Sequence, residues 1–158
     1  DWSSDVCSSD LINMFSSLNI SASGLTAQRL RLDIISNNLA NAESTRTEAG
    51  GPYRRQLAVF AARQEATFGR YMDRALAKQS PGQGVRVTRI DEDTSPLERR
   101  YQPGHPDADE EGYVLYPNVN VVTEMVDMIS ASRSYEANAT AFNASKGMAV
   151  KALELGRR

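Results

Sequence analysis

The stretch MFSSLNISASGLTAQRLRLDIISNNLANA, residues Met14–Ala42, decides the fold. Leu18, Leu25, Leu32 and Leu39 recur every seven residues, with Phe15, Ala22 and Ile35 beside them. A sustained seven-residue repeat lays one apolar seam along a helix, and that seam needs a partner. The stretch carries only Arg29, Arg31 and Asp33 as charges; Ser, Thr and Asn supply the rest of its polarity. Small uncharged polar side chains suit a surface buried against other helices, because they hydrogen-bond without the desolvation cost of an ion. A helix within a small bundle is the plainer alternative. Gly24 weakens the helix by roughly 1 kcal/mol relative to Ala.

Working outward, the far end of the chain carries a second seven-residue series: Val121, Met128, Tyr135, Phe142 and Ala149, flanked by Met125, Ser132, Ala139 and Leu153. This predicts a helix from about Asn118 to Leu155. Asn118 or Asn120 can cap it, Glu124 and Asp127 suit the positive end of its dipole, and Gly156 is a natural stop. At 1.5 Å per residue the two helices measure roughly 43 and 55 Å, longer than the middle segment can cover. Their seams therefore meet each other, other subunits, or both. The middle is read as short strands at Tyr53–Ala61, Val85–Ile90, Leu97–Tyr101 and Tyr113–Tyr116, separated by turns and loops. Ala62–Ser80 is ambiguous between a short helix and an insertion. The fold expected is mainly α with a small β segment (α+β): long N- and C-terminal helices forming a coiled-coil-like pair, with a small β-rich middle domain. The divisions are 14–46, 47–117 and 118–158, preceded by 1–13.

Residues 1–13, DWSSDVCSSDLIN, hold the only Trp and the only Cys of the chain. They show no helical or strand period, resemble a translated sequencing adapter, and are expected to be non-native and poorly ordered, with Met14 as the natural start. They lack the basic and apolar regions of a secretory signal peptide. Cys7 alone can form neither an internal disulfide nor a thiolate metal cluster. Apolar residues at 41% and charged residues at 24% are ordinary globular usage. The net charge of −2 comes from well-mixed acids and bases, with no basic stripe for nucleic acid. No apolar run reaches the length of a transmembrane helix.

Candidate chemical sites are few. His105, Asp107, Asp109, Glu110 and Glu111 crowd one loop, but one imidazole beside Pro106 reads better as part of a solvated acidic loop than as a metal site. Asp91, Glu92 and Asp93 could imitate a hydrolase carboxylate pair; adjacent acids in a turn are usually just exposed. Gly82-Gln83-Gly84 is a turn, not a nucleotide fingerprint. No catalytic, cofactor-binding or metal residue is assigned. Asn38, Asn41, Asn138 and Asn143 lie on or near the helical seams, where a buried Asn fixes register and partner choice at a cost in stability; exposure to solvent is the equal alternative.

Ser21-Ala22-Ser23-Gly24-Leu25, Leu32-Asp33 and Asn37-Asn38-Leu39-Ala40-Asn41-Ala42 resemble the N-terminal motif of bacterial flagellar axial proteins of the rod and hook. Gly84-Val85-Arg86-Val87, Tyr101-Gln102-Pro103-Gly104-His105-Pro106, Tyr116-Pro117-Asn118-Val119-Asn120 and Arg133-Ser134-Tyr135-Glu136-Ala137-Asn138 are similar to the basal-body rod proteins, in particular the proximal rod. The resemblance spans Met14–Arg158. It implies a non-enzymatic structural subunit, without cofactors, that assembles helically with other rod subunits and copies of itself to transmit torque. It further implies export through the flagellar type III apparatus without a cleaved signal peptide, and a place in the rod within the periplasm. Neither nucleic acid nor a membrane span is expected. The assembly interface is then expected at Phe15, Leu18, Ala22, Leu25, Leu32, Ile35, Leu39, Val121, Met125, Met128, Tyr135, Ala139, Phe142 and Leu153. The alternatives are a soluble coiled-coil adaptor or export chaperone, and a peptidoglycan hydrolase.

Overall fold

The structure, a computed structural model, describes residues 2–48, 50–63 and 82–156, with side chains from Phe15 onward. Helix α1 spans Trp2–Ala40. Strands β1 (Gln56–Ala62) and β2 (Val85–Glu92) pair with each other, as do β3 (Glu98–Tyr101) and β4 (Tyr113–Tyr116). Helix α2 spans Val121–Gly156. The expected class, mainly α with a small β segment, is what the chain adopts. None of the helices among the described residues is long and apolar enough to cross a membrane. Residues 64–81, including most of the ambiguous Ala62–Ser80 stretch, lie outside the described residues.

The helix boundaries follow from local chemistry. The backbone of Trp2–Asn13 is helical. The segment contains neither Gly nor Pro, and once a helix is nucleated each further residue adds a hydrogen bond. At its other end α1 stops two residues short of the expected Ala42. There the Asn37 carbonyl accepts both the Asn41 backbone N–H at 3.1 Å and the Asn41 side-chain amide at 3.0 Å. The N-terminus of α2 is capped by Asn120, whose Oδ1 accepts the Thr123 N–H at 3.1 Å. Asn118, the other candidate cap, instead accepts the Arg55 N–H at 2.9 Å and donates to Ser95 Oγ at 2.8 Å.

The chain divides into two compact units. The first comprises 1–27, 60–87 and 134–158; the second comprises 28–59 and 88–133. In the first, Ser17 Oγ lies 3.4 Å from Ser145 Oγ, and Gly24 faces Asn138. Seven residues forward on α1 match seven residues back on α2, so the two segments are antiparallel. Ser21, Ala27 and Ser145 are buried there. A Cβ at Gly24 would sit 2.8 Å from Asn138 Oδ1. The glycine that weakens α1 as an isolated helix thus permits the close approach of α2. Ser23 ties β2 to α1 by accepting the Val85 N–H at 3.1 Å.

In the second unit the core is Ile34, Ile35, Val114 and Ala131, with Asn38 and Glu124 equally buried. Strands β3 and β4 are antiparallel, with Glu98 opposite Tyr116 and Tyr101 opposite Tyr113. Opposed residues share a face. Val114 therefore points inward at 1% exposure, while Arg99, Leu115, Tyr101 and Tyr113 share the outer face. The Arg99 guanidinium stacks 4.8 Å from the Tyr113 ring centre. At opposite ends of the β1–β2 pair, the Arg63 N–H donates to Gly84 O and the Asp93 N–H to Arg55 O. This order makes β1 and β2 antiparallel too.

Two glycines predict opposite responses. Gly84 has φ +96°, and an added Cβ would collide with the Ser23 hydroxyl that holds β2. Gly84→Ala is expected to cost on the order of 1–3 kcal/mol. Gly147 lies within α2 with nothing within 4 Å of an added Cβ, so Gly147→Ala is expected to stabilise by about 0.5–1 kcal/mol. Urea denaturation followed by circular dichroism measures both.

Candidate assembly surfaces and the polar core beside them

In both units the helices face each other through small or polar side chains. Ser17, Gly24, Arg31 and Asn38 on α1 form one seven-residue series; Glu124, Ala131, Asn138 and Ser145 on α2 form another. Within the first unit Ser17 meets Ser145, and Gly24 meets Asn138. Within the second, Asn38 meets Glu124, and Arg31 meets the neighbouring Asp127. The leucine series Leu18, Leu25, Leu32 and Leu39 runs one residue to the side and is half-buried throughout. A seven-residue repeat marks stripes; it does not say which of two adjacent stripes turns toward the other helix.

The structure divides the expected interface residues into three groups. Ile35 is buried. Leu18, Ala22, Leu25, Leu32, Leu39, Met128, Ala139 and Phe142 are half-buried. Phe15, Val121, Met125, Tyr135 and Leu153 are exposed. On α2 in the second unit, Val122, Met125, Val126 and Ile129 follow i, i+3, i+4, i+7 spacing, with exposures of 70, 53, 62 and 55%. Such spacing makes one continuous stripe on a helix surface. The sequence reading marked only Met125 of these four, because it followed a strict seven-residue period and passed over the Val122–Val126 pair. Of the Asn residues, Asn38 is buried. Asn41 bonds within its own helix, Asn138 packs at Gly24, and Asn143 is exposed.

Beneath these stripes, in the second unit, lies a polar cluster that the sequence reading did not identify as one. The Asn38 amide clamps the backbone of Gln56: its Nδ2 donates to Gln56 O at 2.8 Å and its Oδ1 accepts the Gln56 N–H at 2.9 Å. The same Nδ2 lies 3.2 Å from Glu124 Oε2. The other Glu124 oxygen accepts from the Arg55 guanidinium at 2.6 Å. Glu124 is 1% exposed, so the acid read as a partner of the helix dipole also lies buried, in an ion pair with Arg55. Arg55 reaches on to Asp127 at 3.4 Å, and Asp127 accepts from Arg31 at 3.2 Å. Tyr53 donates its hydroxyl to Asn38 Oδ1 at 2.9 Å. Burial, then the negative charges of Glu124 and Glu92, push the Tyr53 phenol above its ordinary value. This keeps the hydroxyl proton available for Asn38. Asp93 is held below the usual carboxylate range, chiefly by hydrogen bonds from Ser95.

The acids singled out in the sequence serve local structure, Asp107 in a loop and Asp91 within β2. Asp107 accepts from Thr45 at 2.9 Å, and Asp91 pairs with Arg89 at 2.9 Å. The His105 imidazole accepts the Asp107 N–H at 3.1 Å. Among the described residues no group of His, Cys, Asp and Glu is arranged to hold a metal ion.

Removing one partner of a buried ion pair leaves an uncompensated charge, which costs about 3–5 kcal/mol. Arg55→Ala is expected near the lower end, because Arg55 keeps 21% exposure; urea unfolding measures it. Tyr53 supplies a pH signature. Its folded pKa is raised, so its contribution is fully present below the unfolded value near 10 and is lost as pH rises through the folded value. Stability should fall above about pH 10, and Tyr53→Phe should flatten that fall in alkaline denaturation.

A family model described as "Flagella basal body rod protein" matches residues 18–46, and one described as "Flagellar basal body rod FlgEFG protein C-terminal" matches 110–155. The flagellar basal-body rod protein FlgC of Borreliella burgdorferi is 51% identical over 154 residues, covering 91% of this chain and 98% of that protein. FlgC of Bacillus subtilis is 48% identical, covering 90% of this chain and 98% of its own. FlgC of Aquifex aeolicus is 38% identical, with 91% and 98% covered. With identity this high over almost the full length of these relatives, the chain belongs to the FlgC family of structural subunits of the flagellar basal-body rod.

Proposed function

We propose that this rod subunit joins its neighbours through the outward apolar stripes of its terminal helices. The observation that carries the reading is the Val122, Met125, Val126 and Ile129 stripe, more than half exposed at every position. Contiguous apolar surface of this kind on a soluble chain marks an interaction site. The neighbours are other rod subunits and further copies of this chain. Contacts between two different surfaces generate an open helical assembly instead of a closed ring, and a shaft so built transmits torque. The proximal part of the rod, within the periplasm, is the proposed location. The flagellar type III apparatus is the proposed route, without a cleaved signal peptide. The reading includes no catalytic step: Asp91, Asp93 and Asp107 are engaged by Arg89, Ser95 and Thr45 in local structure.

Val126→Asp and Ile129→Asp test it. Both positions are exposed, so each change should alter stability by no more than about 0.5 kcal/mol. Each variant, expressed in place of the native rod subunit, should keep its helical circular dichroism yet abolish swimming in soft agar and incorporation into purified basal bodies. Glu136→Gln, at an exposed site on α2 away from the stripe, should swim normally. Normal motility in both aspartate variants would overturn the reading.

A further inference from the structure

We propose that two consecutive residues, Arg55 just before β1 and Gln56 at its start, set the register of the helix pair, with Gln56 fixing α1 through Asn38 and Arg55 fixing α2 through Glu124. The small-residue seam carries little register information of its own. In the first unit the meeting residues are Ser17 with Ser145, and Gly24 with Asn138. A slip of one heptad sets Ser17 against Asn138 and Gly24 against Ala131, again small or polar on small. The same slip carries Glu124 toward Arg31, which supplies a substitute cation. Nothing along that seam strongly rejects the slipped pairing.

The cluster in the second unit does reject it. The Asn38 amide takes both the N–H and the C=O of Gln56, at 2.9 and 2.8 Å, in the manner of a neighbouring strand. One residue earlier, the Arg55 side chain binds Glu124 at 2.6 Å, and its backbone N–H donates to Asn118 just ahead of α2. A slipped pair would strand the Gln56 backbone groups and unpair Arg55 from a carboxylate that is 1% exposed. Buried polar groups of this kind select one arrangement among near-equals, while apolar replacements of similar volume often leave stability intact. Arg55 and Gln56 are adjacent, so the two helices are referenced to a single point.

The test uses the full chain with Cys7→Ser and two reporter pairs. Ser17→Cys with Ser145→Cys reads the native register, and Ser17→Cys with Asn138→Cys reads a slip of seven residues. In the parent chain the first pair should cross-link under mild oxidation, and the second should cross-link at least tenfold less, because cysteines that far out of register cannot bridge. In the Arg55→Met/Glu124→Met background, and separately with Asn38→Leu, the slipped cross-link should rise at least tenfold while helical circular dichroism is unchanged. Exclusive formation of the native cross-link in both backgrounds would overturn the proposal. So would loss of helical signal in both, since the cluster would then hold the fold and not choose among registers. A parent chain forming neither cross-link would overturn it as well. The readout is made on free chains, so failure here leaves the assembly reading untouched.

Discussion

The carboxylate of Glu124, almost wholly removed from water, is the interaction around which the second unit is arranged. A buried ion left without its partner costs the fold about 3–5 kcal/mol. Arg55 meets one oxygen and Asn38 the other. Asn38 is in turn held by Tyr53 and by the Gln56 backbone. The start of β1, the end of α1 and the start of α2 are thereby located against one another. The strand pair β3–β4 contributes its one fully buried side chain, Val114, to the same unit and leaves Arg99, Tyr101 and Tyr113 on the outer face.

The first unit works by a different rule. Its helices touch through Ser17, Ser145, Gly24 and Asn138, and bury Ser21 and Ala27. Small side chains let helices approach closely, but each buries little apolar area. At about 25 cal/mol per Å², such a seam yields less than a leucine zipper of equal length would. The large apolar groups lie beside the seam or outward from it: Phe15 at 60% exposure, Met148 at 60%, Leu153 at 70%.

Much of the architecture was legible in the sequence because the signals were local. The α2 cap at Asn120 and the strand Tyr113–Tyr116 follow from residue chemistry within a few positions. The seven-residue series correctly announced two long helices. They did not identify the facing stripe, because periodicity is blind to rotation about the helix axis. The series Ser17, Gly24, Arg31, Asn38 has the same period as the leucines and is hidden by its polarity. Glu124 was legible as an acid near a helix start but not as a buried ion. Its partner Arg55 lies 69 residues away, just before β1, beyond any local pattern. The cluster's one advance signal was Asn38, an uncharged amide among leucines.

The chemistry of the Ser17–Ser145 and Gly24–Asn138 contacts also bears on how easily the two segments part. When a leucine seam opens, water must be ordered over freshly bared hydrocarbon. When hydroxyls and amides separate, water replaces each lost hydrogen bond nearly in kind. Parting the first unit at these contacts therefore bares little hydrocarbon, so the seam opens at smaller cost than a leucine seam of equal length.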